Sequence, residues 1–183
     1  DERSIVNSNG YIHFTGMMRN ITILLILSLS TFSWGQDCDA GYTDIVGECY
    51  YQADLDVLET FIYNSFGSIN LILDTNNDGI IESLELCSQA WEDGRLTLLD
   101  CSPIIIDNNY NWIDISGEIP SNITNWTHIE VINMSYNNLQ GQVPNTICSL
   151  NLDFDDPQIF SLYGNDLCPP YPECIEDYVG SQS

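Results

Sequence analysis

The chain has no lysine and only three arginines, Arg3, Arg19 and Arg95, against 27 acidic residues, leaving a net charge of -24 over 183 residues. A protein grips nucleic acid by setting Lys and Arg against phosphates, so that class of partner is excluded. An anionic membrane surface is disfavoured on the same ground. Catalytic strings are missing too: no G-x-S-x-G, H-E-x-x-H or phosphate loop occurs, and His13 and His128 are the two histidines. Acids this abundant always permit a carboxylate pair in principle, but no spacing here specifies one. The sequence predicts no enzyme, with an acidic hydrolase as the remote alternative. What the charge allows is solubility, a saline habitat or binding of divalent cations.

Long apolar runs are also scarce. The stretch Ile21 to Trp34 has 14 residues, short of the about 20 that a spanning helix needs. Met17-Met18-Arg19-Asn20 precedes it and Ser33-Trp34-Gly35 follows, which reads as a secretory signal peptide over 17–35, cleaved before Gln36. An uncleaved anchor at the same place is the alternative. Residues 1–16 are then an upstream or non-native extension. The expected mature chain keeps 25 acids and Arg95 alone among the strong bases, with no stable membrane span, and is secreted, extracellular or at the cell surface.

All seven cysteines, Cys38, Cys49, Cys87, Cys101, Cys148, Cys168 and Cys174, lie beyond that point, where export makes disulfides available. Close spacing favours Cys38 with Cys49 and Cys168 with Cys174, the latter pair around a proline-stiffened loop, and Cys87 with Cys101 is plausible. An odd count leaves one thiol over. Cys148 is the candidate, with Cys101 as its rival because it occupies an inward strand position.

Two stretches repeat one template at an offset of 24 residues: Ile115-Ser-Gly-Glu-Ile-Pro-Ser-Asn-Ile and Leu139-Gln-Gly-Gln-Val-Pro-Asn-Thr-Ile. A period of this size predicts an α/β solenoid of stacked strand-and-turn coils. Before it, Leu55, Leu58, Phe61, Ile62 and Phe66 fall at helical spacing, with Asp54 and Asp56 near the start, and predict a helix over about 53–65. Ser83 to Trp91 reads as a short second helix ended near Gly94. Leu96, Leu99 and Cys101 align with Ile129, Ile132 and Met134, and with Phe160 and Leu162, as inward residues of short strands. Asn137 and Asn165 fall where a buried amide satisfies turn backbone groups.

The run Ile129-x-x-Ile-x-Met-x-x-Asn-x-Leu-x-Gly-x-Val-Pro resembles the plant-type extracellular leucine-rich repeat, a match covering residues 95–168. Asp54 to Phe61 with Trp91 to Leu96 is similar to the helical N-terminal cap of that family, and Leu167 to Cys174 to its cysteine-bearing C-terminal cap. The resemblance implies a short array of about three repeats, divided as an N-terminal cap over 36–94, repeats over 95–167, and a C-terminal cap and tail over 168–183. It further implies a non-catalytic module that binds an extracellular protein, peptide or glycan on the strand face. On that face the outward positions are Asp100, Asn133, Ser135, Ser161 and Tyr163, with Tyr136 at the strand edge. Aromatic residues are the usual anchors of binding surfaces, so Tyr136 and Tyr163 are the expected contacts. Asn122, Asn125 and Asn133 begin glycosylation sequons, and a glycan on Asn133 would obstruct this face.

Asp74-Thr-Asn-Asn-Asp-Gly-Ile-Ile-Glu-Ser-Leu-Glu85 fits the EF-hand-like calcium loop. Oxygen donors fall at Asp74, Asn76, Asp78, the Ile80 carbonyl, Glu82 and Glu85, with Gly79 at the sharp turn and Ile81 directed to the core. One calcium ion is the expected cofactor, stiffening the N-terminal cap. A calcium-dependent structural or adhesive surface protein is the alternative function.

Overall fold

The computed structural model describes residues 38–65 and 67–182. The expected extension over 1–16, the signal peptide over 17–35, its cleavage point at Gln36, the helical position Phe66 and the last residue of the tail lie outside the described residues.

Leu55, Val57, Leu58 and Phe61 close one apolar stripe, and the helix they specify, α1, spans Gln52–Asn64. Its start is held by charge rather than by a side-chain cap. Asp54, fully buried, receives Nε of Arg95 at 2.8 Å, an Arg95 Nη at 3.1 Å and the backbone N–H of Leu96 at 3.1 Å. The helix expected over 53–65 is therefore in place, but Asp54 does more than face the helix dipole. Phe61 stacks on Trp126 with centroids 5.8 Å apart, and Trp126 Nε1 donates to the Asp54 carbonyl. At the other end Ser65 donates to the Ser116 carbonyl and accepts its N–H, which ties the helix to the template stretch.

Two strands precede α1 and form a hairpin, β1 Tyr42–Ile45 with β2 Glu48–Tyr51. The expected second helix over Ser83 to Trp91 is not formed. Ser88–Glu92 is a strand, β3, antiparallel to β4 at Arg95–Asp100. The reason is local: Asp93 and Gly94 both take positive φ, 49° and 73°, as a two-residue hairpin turn requires. A Cβ at position 94 would come within 2.2 Å of the Cys49 carbonyl oxygen, so glycine is required there twice over. A third hairpin joins β5 Ile104–Ile106 to β6 Asn109–Asn111 through Asp107 and Asn108, again both at positive φ.

The remaining strands are very short: β7 Ser116–Gly117, β8 Val131–Asn133, β9 Asn138–Gly141, β10 Phe160–Ser161 and β11 Asp166–Leu167. They make a four-stranded sheet ordered β10-β8-β4-β3 and a three-stranded sheet ordered β11-β9-β7. Leu99, Ile132 and Phe160 stand in one inward row of the first sheet. Asn137 is buried and gives its amide to the Cys101, Met134 and Ser135 carbonyls while accepting the Ile115 N–H. Asn165 does the same for Met134, Leu162 and Leu139. Gln182 adds a third amide in this manner, taking the Leu167 N–H and donating to the Leu162 and Val179 carbonyls.

The expected α/β solenoid, a short leucine-rich-repeat coil between a helical and a cysteine-bearing cap, is overturned. Among the described residues the chain forms one α-helix and four small sheets in which parallel and antiparallel pairing are mixed. Parallel pairing lasts only two or three residues per strand pair and is joined directly to an antiparallel hairpin. The template repeat places two stretches side by side without imposing a coil on the whole chain.

Three disulfides are formed: Cys38–Cys49, Cys87–Cys101 and Cys148–Cys174. The last corrects the expected Cys168–Cys174 bridge and the free Cys148. Cys168 is free and exposed, its N–H held by the Gly141 carbonyl at the end of β11. The backbone there follows the sheet edge, while Cys174 sits against the core beside buried Ile175. No described helix is long and apolar enough to cross a membrane.

Candidate functional site

The first sheet presents Asp100, Asn133 and Ser161 in one register across β4, β8 and β10. These side chains are largely spent on their own backbone. Asp100 accepts the Ser102 N–H at 2.9 Å, and Asn133 accepts both the N–H and the hydroxyl of Ser135. Ser135 is 7% exposed, so it belongs to the turn rather than to a contact face. Ser161 is half-buried. Of the six expected contact positions, Tyr136 and Tyr163 stand out into solvent, 47% and 43% exposed.

Those two rings are joined by a third. Tyr136 and Tyr163 meet edge to face with centroids 5.1 Å apart, and Trp112 meets Tyr136 at 5.9 Å. Tyr136 lies between β8 and β9 and Tyr163 between β10 and β11, where the chain passes from the four-stranded to the three-stranded sheet, and Trp112 lies between the β5–β6 hairpin and β7. The Tyr136 N–H bonds to the Tyr163 carbonyl at 2.7 Å, so backbone pairing sets the spacing. Glycine supplies the seats. A Cβ on Gly164 would stand 2.9 Å from the Tyr136 ring. Tyr136 itself has φ 57°, a conformation that costs a bulky residue about 1–2 kcal/mol. Strain stored at an exposed aromatic marks a candidate contact. Trp112 was missed because it follows the irregular segment that separates the first strand from the template. Its signal was a tryptophan two residues after Tyr110 in a segment with no core pattern.

Beside this row, Ser102, Pro103 and Tyr110 complete a cleft of about 430 Å³ floored by Trp112 and Tyr136. Rings with a polar rim suit ligands that offer flat apolar faces and hydroxyl or amide groups.

The loop 74–85 follows a single 3-10 turn at Leu71–Leu73 and is pinned by buried Leu73 and Ile81. Asp74 accepts the N–H groups of Asp78 and Gly79, Asn76 that of Asp78, and Asp78 that of Ile80. Glu85 reaches back across the loop and accepts from the N–H and hydroxyl of Thr75 and from the N–H of Asn76. The Thr75 hydroxyl is the first cause holding the Glu85 carboxyl down to about 2. Glu82 is pushed up, first by sharing a hydrogen bond with Glu85 and then by desolvation and the charges around it, and it also accepts the Asn76 amide. Asp74, Asn76, Asp78, Glu82, Glu85 and the Ile80 carbonyl thus lie in one turn and offer the hard oxygens calcium prefers. Among the described residues, however, no three His, Cys, Asp or Glu side chains stand close enough together to hold a metal ion. The donor set suits the ion chemically, and the loop is folded on its own N–H groups.

No protein-family model matches the chain, and no curated protein matches it.

Proposed function

We propose that this chain is a secreted or cell-surface binding module without catalytic activity, which takes an extracellular protein, peptide or glycan on the row Trp112, Tyr136 and Tyr163. The row itself carries the reading: three exposed rings, each from a different turn, held in edge-to-face contact at 5–6 Å. Aromatic anchors of this kind supply most of the energy of a small contact surface. Three disulfides fit export into an oxidising compartment.

Loop 74–85 would hold one calcium ion through Asp74, Asn76, Asp78, the Ile80 carbonyl, Glu82 and Glu85, stiffening the segment between α1 and β3. The support is the complete set of oxygen donors in one turn and the glycine at its tight point, Gly79 at φ 87°. Screening the full chain against glycan and peptide arrays tests the first part. Ligands captured by the parent and lost by Tyr136→Ala with Tyr163→Ala support it; capture that ignores both changes overturns it. Melting with calcium and with chelator tests the second: an unchanged Tm would remove calcium as a stabiliser.

A further inference from the structure

A second surface lies away from the aromatic row and owes nothing to it. Between the β1–β2 hairpin, the exposed side of α1 and the end of loop 74–85 runs an open groove of about 810 Å³. Its apolar lining comes from Ile45, Val46, Ile62 and Tyr63, with buried Leu55 and Ile81 beneath. Val46 is 99% exposed and Tyr63 80% exposed. Both side chains are large and apolar, and neither covers anything in the protein's own core.

Val46 is anomalous in a second way. It is the first residue of a two-residue hairpin turn and has φ 56°. Asn, Asp or Gly normally take this place, and a β-branched residue at positive φ is an outlier. The chain's own Asp93 and Asp107 occupy the same kind of turn. A strained conformation combined with full exposure of an apolar side chain makes no sense for folding alone. It points to a use at the groove lip.

The groove is edged by acid: Glu59 from α1 and Glu82 and Glu85 from the loop. An apolar floor with an anionic rim rejects fatty acids and anionic lipid. A second copy of this chain is equally poor, because the whole sequence has no lysine. Its one arginine among the described residues, Arg95, is already committed to Asp54. The complementary occupant must bring its own cations alongside apolar side chains.

We infer that this groove docks a basic amphipathic segment of a partner protein, its apolar residues against Val46, Ile62 and Tyr63 and its Lys or Arg side chains on Glu59 and, when loop 74–85 holds no calcium, on Glu82 and Glu85. An amphipathic helix laid in a groove reads its partner in this manner. The anionic rim steers the encounter and sets its salt dependence.

The probe is a fluorescent synthetic peptide of leucine and lysine with leucines at i, i+3, i+4 and i+7, titrated with the full chain in chelator. Controls replace its leucines by serine at equal charge, or its lysines by glutamate. The leucine–lysine peptide should bind and weaken as salt rises, and the serine–lysine peptide should bind at least about tenfold more weakly. Val46→Gly with Tyr63→Ser should lower affinity about tenfold or more, the loss expected for two apolar contacts. The same pair should not lower Tm, since Val46→Gly relieves the turn. Tyr136→Ala with Tyr163→Ala should leave the affinity unchanged, which separates this site from the aromatic row. Equal binding of the serine–lysine peptide, indifference to Val46→Gly with Tyr63→Ser, or no binding at all would overturn the proposal.

Discussion

Arg95 is the residue on which the junction of α1 and β4 depends. Its guanidinium lies 4.1 Å from the centroid of the Tyr51 ring and meets the fully buried Asp54 carboxylate. Its remaining reach goes to the Asn125 carbonyl and the Thr127 hydroxyl, so one side chain ties β2, α1, β4 and the segment before β8. A buried pair is weak evidence of net stabilisation, but breaking it strands a charge. Arg95→Met would leave Asp54 with only the Leu96 N–H and should cost about 3 kcal/mol. Denaturant unfolding at pH 7 checks this. Adding Asp54→Leu should recover much of the loss, because both desolvated charges are then gone. A single variant as stable as the parent would refute the junction.

At the scale of elements, the C-terminal segment is held by Cys148–Cys174, which closes a separation of 26 residues. Replacing both by serine should cost about 3 kcal/mol through the enlarged unfolded ensemble. Cys168→Ser should stay within about 0.5 kcal/mol of the parent, as expected for an exposed side chain without a partner. A loss of similar size for Cys168→Ser would mean that Cys168 and Cys174 are the bonded pair, because both variants would then lack that bridge. Loop 74–85 contributes a pH dependence of its own. The folded Glu85 carboxyl is held at about 2, below its unfolded value, so its contribution is present above about pH 4.5 and is lost as pH falls toward 2. In chelator, Glu85→Gln should flatten the parent's loss of Tm across that window. A variant with the parent's full acid dependence would remove the Thr75 contact as its cause. These elements also show what could be read in advance. The stripe Leu55, Leu58 and Phe61 gave α1, and Asn137 and Asn165 were legible because an amide amid apolar residues must satisfy backbone. The β3–β4 hairpin was missed although Asp93-Gly94 is a strong local turn signal, since the alternation over Ser88–Glu92 was overridden by a helical reading of Ser83 to Trp91. Cysteine spacing could not decide between Cys148 and Cys168, because proximity in three dimensions sets pairing. The fold class was misread because one nine-residue template, repeated once at an offset of 24, was extended to strands of two or three residues whose pairing no period announces.

At the scale of the whole molecule, 27 acids facing three arginines make the compact state repel itself. The repulsion is long-range and sits on exposed carboxylates, so counter-ions should weaken it. At about 0.01 M salt the screening length is about 30 Å, comparable with the size of a small domain, and at about 0.1 M it shrinks to about 10 Å. The Arg95–Asp54 pair is buried and little screened, so salt should relieve repulsion without dissolving the main attraction. Stability should therefore rise with sodium chloride between about 0.01 and 0.5 M, most steeply at the low end where the screening length changes fastest. Calcium could imitate this by neutralising loop 74–85, and the measurement has to separate the two. Thermal melting in chelator over the salt series isolates the general term, and repeating it with Asp74→Asn and Asp78→Asn removes two charges from the loop. A Tm that climbs with salt in both proteins, less steeply in the variant, assigns the effect to summed surface charge. A flat Tm in chelator would show that the carboxylates are already paired or dispersed enough to cost the fold nothing.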